Sequence, residues 1–361
     1  MTSTNLLPSV LVGAILALFL GGAAWVVATA AGSVPREGVR LAAGAEGEPV
    51  YVTVEDGDSA ASIARRLEDA GVIDSASTFE RLAKITGRER HLAAGEYEFL
   101  PGTSALDALA RIRDGLTAAR IVTLPEGLRM EELAALLEKR GVVPAADFLA
   151  AANALARSGT GLDADLLASR PAAATLEGYL YPATYSFSRK ITAEEAVLTM
   201  VDALSQRLTP ELREEARAQG LSVHAVLTLA AIVEREVVLP EERPLVASVY
   251  RNRLRIEMAL QADPTVQYAI AARPGSVVEF GYWKRELSQQ DLGFDSTYNT
   301  YTRRGLPPGP IANPSIESIV AVIRPARTNN LYFVARNDGS GGHAFSETLD
   351  EHERNVARYQ P

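Results

Sequence analysis

The chain has 361 residues, more than one ordinary domain, and its 47% hydrophobic and 22% charged content suffices for packed cores of normal size. It has no cysteine, which excludes disulfides, thiolate metal sites and cysteine nucleophiles together. A net charge of −9 argues against nucleic acid as a partner. The only histidines are His91, His224, His343 and His352, without a His-Glu-x-x-His pattern, so neither a metal nor a cofactor is expected. None of the lysines (Lys84, Lys139, Lys190, Lys284) has a serine three residues before it, which removes the Ser-x-x-Lys chemistry.

After a short tail (1–5), residues 6–31 carry no charge. At about 1.5 Å per residue such a run reaches roughly 39 Å as a helix, enough for a bilayer core of about 30 Å. It is longer than the apolar part of a cleaved signal and lacks a basic start, so a single-pass membrane anchor is expected, with Ala28-Thr29-Ala30 as the competing cleavage site. Arg36 and Arg40 follow the span, which taken literally puts the large domain in the cytoplasm, but Glu37, Glu46 and Glu48 dilute a bias of only two residues, so charge leaves the orientation open. Residues 32–48, rich in glycine and charge, read as a tether.

The next segment repeats. Residues 52–73 align with 122–143 at an offset of 70, matching Val52/Val122, Thr53/Thr123, Gly57/Gly127, Ala64/Ala134, Leu67/Leu137, Glu68/Glu138, Gly71/Gly141 and Val72/Val142. Each copy predicts a strand, a glycine turn and an amphipathic helix closed by Gly71 or Gly141. With the strand and helix of 95–115, the first copy completes an α+β module over 49–119, and a mixed α+β domain follows over 120–361. Residues 144–172, rich in alanine, read as helices.

Chemistry concentrates after residue 170. Glu177 stands among Tyr179, Tyr181, Tyr185 and Phe187, a mixture that suits a sugar site or, equally, a core strand with its turn. Residues 222–239 predict an apolar helix interrupted by Glu234-Arg235-Glu236. Glu234 falls on an apolar stripe of Leu227, Ala230, Ala231, Val237 and Val238, where desolvation raises a carboxyl pKa as a general acid requires. An ion pair with an arginine is the alternative, and periodicity does not choose between Glu234 and Glu236. Pro264 fixes the backbone after Asp263, as a helix cap or a substrate contact. Tyr298–Tyr301 and the rigid Pro/Gly segment 305–315 suit a cleft wall. Residues 330–336 and 343–348, joined by Asp-Gly-Ser-Gly-Gly, read as a hairpin.

Taken in order, LEGYLYPATY, LAAIVEREV, ASVYRNRL, LQADPTVQY, YNTY, GLPPGPIANPS and LYFVA followed by GGHAFS resemble the YceG-like (MltG) family of endolytic murein transglycosylases. The first copy, with Gly57-Asp58-Ser59, resembles the LysM peptidoglycan-binding module, a generic strand–helix unit being the other reading. The family resemblance implies an inner-membrane protein with its large domain on the extracytoplasmic side, acting on peptidoglycan glycan strands alongside peptidoglycan synthases. It maps the catalytic acid/base onto Glu234. By similarity, Gln261, Asp263, Thr265, Asn299 and Tyr301 line the glycan groove, joined as substrate-binding candidates by Glu177, Tyr179 and Asn313. The implied reaction is lytic: Glu234 protonates the glycosidic oxygen and then deprotonates the muramic acid's own 6-hydroxyl, closing a 1,6-anhydro ring without a second carboxylate. A muramidase using Glu234 with Asp263, and a non-catalytic wall-binding scaffold, are the alternatives.

Overall fold

The computed structural model describes residues 48–360 apart from 88, 90, 91, 116 and 118. The expected anchor over 6–31 and most of the tether lie outside the described residues. Among the described residues no single helix is long and apolar enough to cross a membrane. The chain is mixed α+β, as its patterning predicts, with small two-stranded sheets among many helices. It divides into two compact units, one of residues up to 94 with 98–115, the other of 95–97 with 116 onward.

Over residues 48–115 the order is β1 (Val50–Val54), α1 (Ala60–Asp69), α2 (Ala76–Ile85), β2 (Gly95–Phe99) and α3 (Ala105–Arg113), with β1 and β2 paired. Each helix opens on a serine, Ser59, Ser75 or Ser104, whose side chain accepts an N–H of the first turn. The apolar faces converge in Ile63, Leu67, Phe79, Leu109 and Ile112, all fully buried. Each such side chain contributes about 1.5–3 kcal/mol.

The second unit runs β3 (Arg120–Thr123), α4 (Met130–Lys139), α5 (Ala145–Ser158), α6 (Ala164–Leu167), β4 (Thr184–Phe187), α7 (Ala193–Arg207), α8 (Pro210–Ala218) and α9 (Val223–Glu236). A 3₁₀ turn at Pro240–Glu242 leads into α10 (Arg243–Arg255). Then come α11 (Asp263–Ala271), α12 (Ser276–Phe280), α13 (Gln289–Leu292), α14 (Ile316–Ile323), β5 (Tyr332–Ala335), β6 (His343–Ser346) and α15 (Leu349–Tyr359). Strand β3 pairs antiparallel with β4, setting Val122 opposite Tyr185, both buried. The aromatic segment is thus a core strand after its turn. The expected hairpin is β5–β6, with Phe333 opposite Phe345.

Helix α9 is the axis of this unit. It is apolar nearly all round, the pattern of a helix covered on every side, and every residue from Val226 to Val233 is buried. Helices α10 and α14 pack on it through Val246, Ala247 and Tyr250 and through Ile319, Val322 and Ile323. Enclosure on all sides leaves the last turn, Glu234 to Glu236, as the place where the axis meets solvent. Asp263 is the first residue of α11, whose cap position is held by Ala262, so the cap reading of Asp263 gives way to an exposed carboxylate in the first turn.

Candidate active site

Glu234 sits in the last turn of α9 with its side chain 7% exposed. Its Oε2 accepts the Ser315 N–H at 2.9 Å and the Ser315 hydroxyl, both at the N-cap of α14. Arg243, opening α10, donates from Nη2 to Oε1 at 3.3 Å. Burial by itself pushes the Glu234 pKa up, but the Ser315 and Ser318 side chains, the Ser315 N–H and Arg243 outweigh it and hold the carboxyl below its ordinary range. This corrects the expectation of a raised pKa: the apolar stripe is real, yet the oxygens reach past it to the N-cap of another helix.

A second carboxylate shares the arginine. Glu126, in the turn after β3, lies 3.9 Å from Arg243 Nη2. Its pKa is raised, by burial first and then by the charges of Glu234 and Glu317, with Arg243 opposing. Two neighbouring carboxyls whose proton affinities are driven apart are the arrangement that acid/base chemistry uses. Nothing in the sequence singled out Glu126, which lies in the turn of the second copy. Its alignment with Asp56 of the first copy is the only signal, and that copy carries no counterpart of Arg243.

Glu236 points elsewhere. It accepts the Tyr250 hydroxyl at 2.6 Å, and burial together with the Asp263 charge raises its pKa to about 7 against the hydrogen bond from Tyr250. Tyr301 donates to Asp263 Oδ1 at 2.5 Å. Gln261, exposed and in left-handed backbone at φ 52°, donates its N–H to Thr300 O at 3.1 Å and faces Arg253 through Oε1 at 3.5 Å. Gln261, Asp263 and Tyr301 therefore gather on the Glu236 side of the helix end.

The other candidates are inward-facing, none more than 3% exposed. Glu177 accepts the Met130 N–H at 3.0 Å and the Asn313 amide at 2.9 Å, and burial drives its pKa up to about 8. Asn313 is a four-way peg. Its Oδ1 accepts the N–H groups of Gly178 and Leu180, and its Nδ2 donates to Leu128 O and Glu177. Tyr179 holds His224 Nδ1 at 3.0 Å while His224 Nε2 meets Pro308 O at 2.9 Å, which pins the rigid 305–315 segment. Burial lowers the His224 pKa, so the ring is neutral, with its proton on Nε2 and the Tyr179 hydroxyl donating to Nδ1. Thr265 joins Ala262 O and Thr300, and Asn299 ties its own loop to Leu292 O and Phe294 O. These side chains fix the walls of the site, and their polar atoms are taken by the chain itself. Gly178, at φ 82°, is required there: a Cβ would lie 2.3 Å from Pro310.

Beside Glu234, the Arg235 guanidinium lies 3.9 Å from the Trp283 ring centre, and Trp283 Nε1 donates to Glu132 at 3.0 Å. Arg129 packs over Tyr268 at 4.1 Å, which in turn meets Tyr298. The sequence reading missed this aromatic and arginine surface, because Trp283 stands in a polar segment with no periodicity. Among the described residues no group of His, Cys, Asp and Glu is arranged to hold a metal ion.

Comparison with known proteins places this geometry. The model of the YceG-like family matches residues 52–358. An endolytic murein transglycosylase of Bacillus subtilis (strain 168) is 31% identical over 317 residues, 86% of this chain and 84% of that protein. One from Streptococcus pneumoniae serotype 2 is 31% identical over 329 residues, of whose length this chain spans 58%. The crystal structure of a yceG-like protein from Listeria monocytogenes, 34% identical, superimposes with a TM-score of 0.56 over 86% of this chain and 99% of that one. The order of motifs, the fold and the matched length agree, and the chain belongs to the YceG-like family.

Proposed function

We propose that this protein is an endolytic murein transglycosylase in which Glu234 is the general acid/base. What carries the reading is the position of Glu234: the carboxylate at the solvent end of an otherwise sealed helix, held between the N-cap of α14 and Arg243. The relatives of like sequence bear the name of that activity. Glu234 protonates the oxygen linking N-acetylmuramic acid to N-acetylglucosamine as the sugar acquires oxocarbenium character. The carboxylate then takes the proton of the muramic 6-hydroxyl, which attacks C1 and leaves a 1,6-anhydro end. In the free protein its hydrogen bonds favour the ionised form. A glycan strand over the site deepens the burial that already pushes its pKa up, and Glu126 is the neighbouring carboxyl with which it can share a proton. Arg235, Trp283, Asp263, Gln261 and Tyr301 present polar and aromatic surface to the strand.

Digestion of purified glycan strands, with mass analysis of the new ends, tests this. Wild type yields ends lighter by one water than reducing ends, and Glu234→Gln cuts about 10²–10⁴-fold more slowly while remaining folded. Normal turnover by the folded variant overturns the assignment. One observation favours a second reading: Glu126 and Glu234 share Arg243, so two carboxylates are at hand to activate water as in a muramidase, and reducing ends as the product would decide for it.

The uncharged run of residues 6–31 supports a single-pass membrane anchor, and the proposed murein substrate, which lies outside the cytoplasm, supports an extracytoplasmic enzyme on the cytoplasmic membrane, near peptidoglycan synthases. The strand–helix–helix–strand order of β1, α1, α2 and β2 supports a LysM-like module over 49–119.

A further inference from the structure

Helices α10 and α14 both start at Glu234, through Arg243 and Ser315, and both end at one groove. This groove, of about 960 Å³, is lined by Arg251, Arg255, Arg324 and Arg327 with Glu215 as its one acidic residue. Four guanidinium groups face one carboxylate in a chain whose net charge is −9. Arg324 is paired with Glu215 at 2.8 Å, and Arg251 meets the neutral Gln219 side chain at 2.8 Å. Arg255 and Arg327 are exposed and carry no ion pair among the described residues.

The groove is braced. Asn252 Nδ2 donates to Thr328 O at 2.9 Å and Asn330 O at 3.0 Å, Ser248 bonds Thr328 at 2.8 Å, and Ala326 N donates to Pro244 O at 3.0 Å. A smaller cleft of about 350 Å³, lined by Arg243, Pro244, Ile316, Val320 and Arg324 with Glu317 as its acidic residue, joins the partner of Glu234 to the basic groove. From Arg243 to Arg251 α10 advances roughly 12 Å, and to Arg255 roughly 18 Å. An extended peptide of about four or five residues spans roughly 13–18 Å.

We propose that this track is the subsite for the peptide stem of the murein strand, its methyl groups over Ile316 and Val320 and its carboxylates among the arginines. The inference rests on the murein reading: the fixed negative charge of murein sits on its stems, and guanidinium forks bind carboxylates in a bidentate manner. The enzyme then holds the muramic residue at Glu234 by the stem it carries, and strands stripped of stems lose that hold.

The test titrates the full chain with a synthetic L-Ala-γ-D-Glu-L-Lys-D-Ala stem and with the same peptide amidated at both free carboxyls. The double variant Arg255→Glu/Arg327→Glu, altered only at exposed positions, is titrated beside it. The Kd of the wild type is at least about tenfold higher for the amidated than for the free-acid peptide, and the variant binds the free-acid peptide at least about tenfold more weakly than the wild type does. Equal binding of the two peptides, equal binding by wild type and variant, or inorganic phosphate binding as tightly as the peptide overturns the proposal. If the arginines only offset the negative ends of α10 and α14, the variant lowers the unfolding midpoint and leaves peptide binding unchanged, which also overturns it. Glu234→Gln separates this from the catalytic assignment, because that variant keeps peptide affinity whether or not Glu234 performs the cleavage.

Discussion

The two copies of the repeated strand–helix unit have one backbone and two kinds of anchorage. In both, the glycine after the helix is left-handed, Gly71 at φ 70° and Gly141 at φ 69°. Val72 and Val142 both donate 2.9 Å bonds back to Leu67 and Leu137. Their starts differ. The first copy is capped locally: Ser59 Oγ accepts Ser62 N–H at 3.1 Å, and Asp58 pairs with Arg66 at 2.7 Å. The second has Leu128 and Arg129 at those positions, and the Met130 N–H goes to Glu177, 47 residues away. Its turn is bonded on both sides to Asn313, through Gly127 N to Asn313 O and Asn313 N to Leu128 O, each 2.9 Å. Where a unit stands by itself, capping remains local. Where its turn carries Glu126 and backs onto Glu234, a local bond from the Arg129 N–H to Glu132 at 3.0 Å is joined by groups from distant parts of the chain, and the turn is positioned by the same network as the catalytic wall.

The largest expected effect that sharpens this contrast is Asn313→Ala. It strips the acceptor from the buried N–H groups of Gly178 and Leu180, so urea unfolding should show a loss of about 2–4 kcal/mol. Next come the matched glycines. Gly57→Ala and Gly127→Ala both force alanine into left-handed backbone, costing each about 1–2 kcal/mol. A Cβ at Gly57 meets nothing within 4 Å, whereas at Gly127 it lies 3.4 Å from Arg235 and 3.5 Å from Glu234. Those are ordinary contact distances, so the effect comes through backbone strain at φ 71° in the turn that carries Glu126 and backs onto Glu234: Gly127→Ala should lower kcat on glycan strands roughly tenfold, and Gly57→Ala should leave it unchanged. Equal activity of the two variants would break the comparison.

The copies should also part in their response to pH. Glu177, which anchors the second, and Glu236 have folded pKa values raised to about 8 and about 7 from an ordinary 4.5. The native state keeps their protons where the unfolded chain releases them. Their contribution to stability is full below pH 4.5 and is lost as pH rises through 7 and 8. Asp58 in the first copy is held low, chiefly by its hydrogen bond from Arg66, so its contribution is present above its ordinary range and lost on acidification. The urea midpoint of the second unit should decline between about pH 5 and 8, and Glu236→Gln should make that decline shallower below about pH 7 while leaving the part due to Glu177. The smallest effect is Ser59→Ala, about 1 kcal/mol with activity intact.

Much of this was legible in the chain. The repeat, the apolar helix ending in Glu234-Arg235-Glu236 and the β5–β6 hairpin follow from periodicity and turn residues, because each is a local pattern. The roles of the polar candidates were not legible. Glu177, Asn299 and Asn313 look like ligand-binding residues in sequence, and each finds its partners inside the protein. A carboxylate or amide carries the same hydrogen-bonding groups for a sugar hydroxyl as for a backbone N–H, and only the surroundings choose.

By itself the sequence determined the repeated strand–helix unit, the terminal hairpin, that α9 is apolar nearly all round, and which acids stand at its end, since composition and spacing fix what a segment can cover; helices such as α7, α10 and α14 were not read from it. The tertiary structure alone decided that Glu234 is held ionised by Ser315 and Arg243, that Glu126 shares that arginine, and that two helices lead from the acid to a basic groove. Those outcomes depend on side chains dozens of residues apart meeting at distances of about 3 Å, a separation over which no pattern in a linear chain has any reach.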